Sequence, residues 1–481
     1  MIGAFDIVGD VGTKRIPGKT SYDAEKQSYV ITGSGKNLWG TEDEFHFAAR
    51  KIKGDFILTA RGAFRGKGKN LHRKWGIMFR QNLDRNSMYA DAAIHGDGLT
   101  SLQYREKTGG ETFELKADLT APDFVQLERV GKFVIMRVAK NGEALTEIGP
   151  VPIDLNADIL VGLFVCSHEI DTAETAVFDN VRIDVLAADG IDGNVVTSPS
   201  RLELVEVMTG HRTVIYATKD HIEAPNWSRD GKFLLYNREG RIYRFPLDSR
   251  KPEILNTGKV RKNNNDHGIS FDGKTLALSS FTEQKGRKAG SQIYTVGIEG
   301  GEPVKVTDQA PSYWHGWSPD GKTLVYCAER DGNFDVWSIP ALGGKETRLT
   351  TDPGLDDGPE YSPCGKFVYF NSTRTGQMKI WRMKPDGSDQ EQVSFGDYND
   401  WFAHLSPDGE RMIYISYPLS VPAASHPHNQ RVMIREQNLK SGKVSVVAHL
   451  YGGQGSMNVP SWSPDGRFVA FVSYTYGNPE L

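Results

Sequence analysis

One turn is written six times in this chain. It reads NWSRDGK at 226–232, ISFDGK at 269–274, WSPDGK at 317–322, YSPCGK at 361–366, LSPDGE at 405–410 and SWSPDGR at 461–467. The glycines fall at 231, 273, 321, 365, 409 and 466, so successive intervals are 42, 48, 44, 44 and 57 residues. A self-similar period in the forties, filled with strand-like segments, is the signature of a β-propeller. Pro-Asp-Gly suits a reverse turn, because Pro presets φ and Gly accepts a positive one.

Each period has the same internal order. A loop leads into a short strand that ends at the turn. A β-branched and aromatic strand follows, as in KTLVYCA at 322–328, and then a third such as MKIWRMK at 378–384. A last short strand closes the unit, as in ETRLTT at 346–351. Alternation and turn residues fit antiparallel strands and not helices. The final copy has only about two strands before the chain ends, while LELVEVMTGHRTVIYA at 202–217 supplies two more ahead of the first copy. The sixth blade is therefore expected to be shared by both ends of the repeat region, which closes the ring and removes its open edges.

Residues 1–188 lack the period but keep alternating strands, such as DFILTARGAF and FVQLERVGKFVIMRVAKNG. They read as a β-sandwich. Residues 189–200 read as a Gly/Pro-containing linker and 201–481 as the propeller. The fold class expected is all-β.

Composition narrows the partners. The net charge is −4 and no basic block occurs, which argues against nucleic acid. No stretch approaches the roughly 18 apolar residues of a membrane span. As written the chain reads as cytoplasmic, and as periplasmic or secreted where a signal peptide has been removed. Cys166, Cys327 and Cys364 form neither a disulfide framework nor a zinc pattern. Nothing in the composition sets an oligomeric state.

The repeated WSPDGK turn and its neighbours resemble the TolB-like, WD-like propeller repeat. The segments WGIMFRQNLDRNSMYADAAIHGDGLTSLQYR at 75–105 and ETAVFDNVRID at 174–184 resemble the concanavalin A-like sandwich family. The first resemblance implies a fold found in transport accessory proteins, peptidase propellers and polysaccharide lyases. The second implies sugar binding or processing.

In a propeller, the loops leading into the innermost strands open on one face, together with the loops that follow each second strand. These loops carry most of the reactive side chains. His267 and His315 fall three residues before the serine of their turn, and His404 falls two before. Imidazoles converging on a channel mouth suit a divalent metal (Mn, Zn or Ca), or general acid–base work. His426-Pro-His428, in the one long loop, adds two metal-ligand candidates. Propeller lyases hold a metal with histidines at the channel mouth, and this loop resembles that device. Its order departs from the lyase pattern, where a glutamine comes first. Glu329, Asp357 and Glu360 are the carboxylates that a glycoside hydrolase would need alongside the catalytic candidates His267, His315 and His404. Arg330 is the expected substrate clamp. Tyr313, Trp314, Arg374, Asn399, Asp400, Trp401 and Asn458 complete the expected binding surface. In the sandwich, Trp39, Asp43, His46, Asp91, His95, Asp97 and His168 are polar or aromatic candidates. The functional expectation is a carbohydrate-active protein, of glycoside hydrolase or lyase type, with a non-catalytic scaffold that binds protein as the alternative. No G-x-S-x-G elbow supports a peptidase.

Overall fold

The computed structural model describes residues 1–13, 16–188, 198–282 and 290–480. Most of the expected linker, at 189–197, lies outside the described residues. The described residues form strands and turns, with no helix among them. The chain clusters into two compact units, Met1–Gly190 with Thr475–Leu481, and Ile191–Tyr474.

The first unit is a sandwich of two seven-stranded antiparallel sheets. In one sheet Lys74–Arg80 lies between Asp158–Cys166 and Tyr89–His95. In the other Phe56–Arg65 lies between Phe124–Val130 and Glu169–Val185. Period-two geometry sends Trp75, Ile77 and Phe79 into the shared core with Leu58, Leu127 and Phe178. Met78 points the other way, into a second apolar cluster with Phe45, Phe47 and Phe164. This central strand is thus buried on both faces and reads as a continuous run rather than an alternation.

The second unit is the six-bladed propeller. Five blades are four-stranded antiparallel sheets. Their innermost strands are β1 (Glu223–Trp227), β2 (Asn263–Ile269), β3 (Ser312–Trp317), β4 (Asp356–Tyr361) and β5 (Tyr398–Leu405). The sixth blade is built from both ends. Phe468–Tyr474 pairs with Ser200–Glu206 in unbroken register from Ser200↔Tyr474 to Glu206↔Phe468. Ser200–Glu206 pairs in turn with His211–Thr218. A closed ring leaves few sheet edges for another chain to pair with.

The repeated turn has a clear physical basis. Its serine carbonyl accepts the glycine N–H, at 2.9 Å for Gly321. The serine hydroxyl donates to the aspartate, at 2.6 Å from Ser318 to Asp320. The same hydroxyl accepts the N–H of the next strand, at 2.9 Å from Thr323. The six glycines lie between φ +67° and φ +75°, where a Cβ is penalised. In blade 4 Cys364 replaces the aspartate, and its sulfur stands 3.5 Å from the Ser362 hydroxyl.

Candidate functional site

Every innermost strand breaks register once. The slips fall between Glu223 and Asn226 in β1, Asn263 and His267 in β2, and Trp314 and Gly316 in β3. They recur between Asp357 and Glu360 in β4, and between Trp401 and His404 in β5. A bulge bends its strand and re-aims the side chains beside it. Ala224, Gly358 and Phe402 take φ of +58°, +58° and +54° at these points. For Phe402 that is a costly conformation, on the order of 1–3 kcal/mol, which the surrounding blades must hold.

The re-aimed residues open onto a cavity of about 550 Å³. Asp266 of β2, Tyr313 and His315 of β3, Asp357 of β4 and Phe402 of β5 line it, with His426, Gln454 and Asn458. Phe281, Phe334 and Leu355 add apolar wall. His315 Nε2 stands 3.2 Å from Asp357 Oδ1. The Phe402 ring stacks on His315, with centroids 6.0 Å apart and an interplanar angle of 21°. His426 packs edge-on against Trp401 at 4.3 Å and Phe402 at 5.2 Å.

The charges are set by burial and by one another. Burial opposes a charged His315, yet the carboxylates of Asp266 and Asp357 outweigh it and raise the imidazole above its usual value. Burial also opposes the Asp357 carboxylate, but the hydrogen bond and charge of His315 pull it down to about 2. Asp266 has no such partner. Burial, helped by Asp357 and Glu223, pushes it up to about 7 against the opposing charge of His315. The cavity therefore sets a carboxyl held low at Asp357 beside an imidazole raised by its acidic neighbours and a carboxyl raised to about 7 at Asp266. This division of roles between titratable groups is what general acid–base chemistry requires.

Other candidates lie elsewhere. His404 is fully engaged in the channel wall. Its Nδ1 meets Glu360 Oε2 at 2.6 Å and its Nε2 meets the Met457 carbonyl at 3.1 Å. Glu360 also accepts the Leu405 N–H at 3.1 Å and lines a separate cavity on the turn side of the propeller. Trp314 lies in the apolar core between blades and lines that same turn-side cavity. Trp401 is buried in another apolar cluster. Arg330 donates to the Pro311 carbonyl, the Ser312 hydroxyl and Glu346, so its guanidinium serves blade 3 and not the cavity. Arg374 is held by Asp356 and Gln390. Asp400 is held by Ser416 and Arg435, and Asn399 by Met378 and Val421. Glu329 is solvent-exposed and outside the cavity lining. His267 is buried, and burial drives its imidazole down to about 4.

Of the five expected metal ligands, His428 alone joins a convergent group. Among the described residues one set of three brings donor atoms within 4.8 Å of one another: His221, Glu223 and His428. The residues missed as site members are Asp266, Glu223, Gln454 and Phe402. Asp266 and Phe402 each adjoin an expected residue in sequence, His267 and Trp401. In the sandwich, Asp43 is buried between Arg105 at 2.8 Å and Arg80 at 3.4 Å. His46 is held by Asp10 at 2.6 Å. His95 is buried beside Gln103, and His168 packs against His72. Asp97 accepts the Leu99 N–H in a turn, and Asp91 is fully buried. Trp39 is 43% exposed.

Comparison with known proteins fits this architecture. Residues 310–479 match the family model described as the TolB beta propeller domain. An uncharacterized protein of Agrobacterium fabrum is 46% identical over 276 residues, covering 57% of this chain and 92% of that relative. A solved structure of a TolB-type protein from Agrobacterium tumefaciens is 45% identical, with a TM-score of 0.55. The match spans 58% of this chain and 99% of that one. The chain belongs to the TolB-like β-propeller family. An oligogalacturonate lyase in complex with manganese is 16% identical, with a TM-score of 0.40, over 57% of this chain and 82% of that one. At that distance no chemistry carries over to the TolB-like chain.

Proposed function

We propose that this TolB-like protein binds and cleaves a glycan in the propeller cavity. One observation carries the reading: the ion-paired His315–Asp357 couple and the neutral-leaning Asp266 face one aromatic-walled space of about 550 Å³. Such a space matches the size of small-ligand sites. Tyr313 and Phe402 offer ring faces to a sugar, and Asn264, Gln454 and Asn458 offer hydrogen bonds to its hydroxyls. In the protonated state Asp266 supplies a proton to the leaving oxygen. Asp357, ionised and fixed by His315, is the base or the charge that stabilises a developing cation. In this reading His315 and His426 serve protons and hydrogen bonds rather than a metal. An envelope or secreted setting belongs to the same reading.

The test is turnover. Neutral oligosaccharides and oligouronides are screened with wild type, Asp357→Asn and Asp266→Asn, and products are followed by mass spectrometry. Hydrolysis adds water, whereas elimination leaves an unsaturated end. Turnover by wild type that falls at least 100-fold in Asp357→Asn supports the reading. A second reading, a scaffold that binds a protein segment, is favoured by the apolar wall of Phe281, Phe334 and Leu355. Capture of a peptide partner without turnover of any glycan decides for it.

A further inference from the structure

We propose that His221, Glu223 and His428 form a divalent transition-metal site that clasps the closure of the propeller ring. The three donors come from distant chain positions. His221 and Glu223 lie where the chain leaves the outer strand of the sixth blade, His211–Thr218, and enters β1. His428 comes from the long connection in the fifth blade, between Arg411–Pro418 and Gln430–Asn438. His221 Nε2 is 3.3 Å and His428 Nε2 is 3.8 Å from Glu223 Oε1. These separations suit neighbouring ligands around an ion with bonds of about 2.0–2.2 Å.

Part of this donor set has no protein partner. No hydrogen bond of sound geometry satisfies either ring nitrogen of His221 or Nδ1 of His428, and all three atoms are shielded from solvent. Buried polar atoms without partners are uncommon and point to something that would satisfy them. Tyr474, the last residue of Phe468–Tyr474, stacks on His221 with centroids 4.8 Å apart at 23°. That ring fixes the imidazole plane, as an outer shell does in metal sites. Two imidazoles and one carboxylate select a zinc-like ion over Ca²⁺ or Mg²⁺.

Tyr474 also pairs with Ser200 at the seam where the two ends of the propeller meet. An ion here would join the fifth blade, the closing blade and the first. It would bridge residues 223 and 428 in the folded ring. Binding to the folded state alone raises stability with the logarithm of the free ion concentration once that exceeds Kd.

The experiment uses the full chain, stripped with EDTA and titrated with ZnCl₂ and, separately, CoCl₂. We expect one equivalent bound, visible cobalt d–d bands, and a rise in Tm with zinc. Hydrogen exchange in Ser200–Glu206 and Phe468–Tyr474 should slow at least tenfold with zinc, with little change in blades 2 to 4. His428→Ala and the isosteric Glu223→Gln should each lose the cobalt bands and the zinc-dependent rise in Tm. No stoichiometric binding, or binding that persists in either variant, overturns the site. Binding without slower exchange at the seam overturns the clasp.

Discussion

His315 Nε2 and Asp357 Oδ1 meet at 3.2 Å across the boundary between the third and fourth blades. The pair joins the stability of the channel wall to the chemistry of the cavity, and the two can be separated by pH. The Asp357 carboxyl is depressed to about 2 in the folded chain, against roughly 3.9 when unfolded. A depressed acid contributes stability above its unfolded value and loses it as pH falls toward the folded value. The contribution is about 2.6 kcal/mol. Asp357→Asn should therefore lower stability at pH 7 and flatten its decline between about pH 4 and pH 2. Urea titrations across that range measure both.

Asp266 behaves in the opposite sense. Its carboxyl is raised to about 7, mainly by burial. A raised group favours the fold below the unfolded value, and that advantage is lost as pH rises through 7. Asp266→Asn should be more stable than wild type at pH 8, by 1 kcal/mol or more on the order of the linkage. In the proposed reaction the same carboxyl is the acid. Activity should fall as pH rises through about 7, and the variant should lose that limb of the profile.

The His404–Glu360 couple is predicted to be structural. Both His404 nitrogens are occupied, and Glu360 also accepts a backbone N–H. His404→Ala should cost roughly 1–3 kcal/mol, the usual penalty for stranding buried polar partners. Glycan affinity in the cavity should change less than about threefold, below 1 kcal/mol. Calorimetric unfolding and ligand titration on the same sample check the two halves.

Cys364 marks the one copy of the repeated turn that lacks the aspartate. Replacing it with aspartate would restore the acceptor that Asp320 offers to the Ser318 hydroxyl and the Lys322 N–H. Cys364→Asp should raise stability by roughly 0.5–1 kcal/mol, the range of one recovered local hydrogen bond. Thermal unfolding under reducing conditions reads it without interference from thiol oxidation.

The turns were legible because their chemistry is local. Ser, Asp and Gly at fixed offsets need one backbone path, so six copies reveal six blades. The blade shared by 202–217 and the last strands was legible for the same reason. The site was harder to read, because offset from the turn does not measure depth once each strand carries a bulge. His315 and His267 share an offset of three, yet only His315 lines the cavity. In β2 the slip precedes His267, and in β3 it brackets His315. His404, one residue nearer its serine, turns toward Glu360 instead, as expected when a strand position shifts by one. Trp314, Trp401 and Arg330 looked like ligand contacts because large and charged residues cluster near channels. Their burial comes from neighbouring blades far off in sequence.

The blade shared by both ends also has a consequence for synthesis. Ser200–Glu206 leaves the ribosome long before Phe468–Tyr474, its partner in the finished ring. At about 5–20 residues per second, the first strand waits roughly 15–50 s with one edge bare. During that interval the growing chain is an open arc that other nascent chains could pair with, and the last strand to emerge ends the exposure.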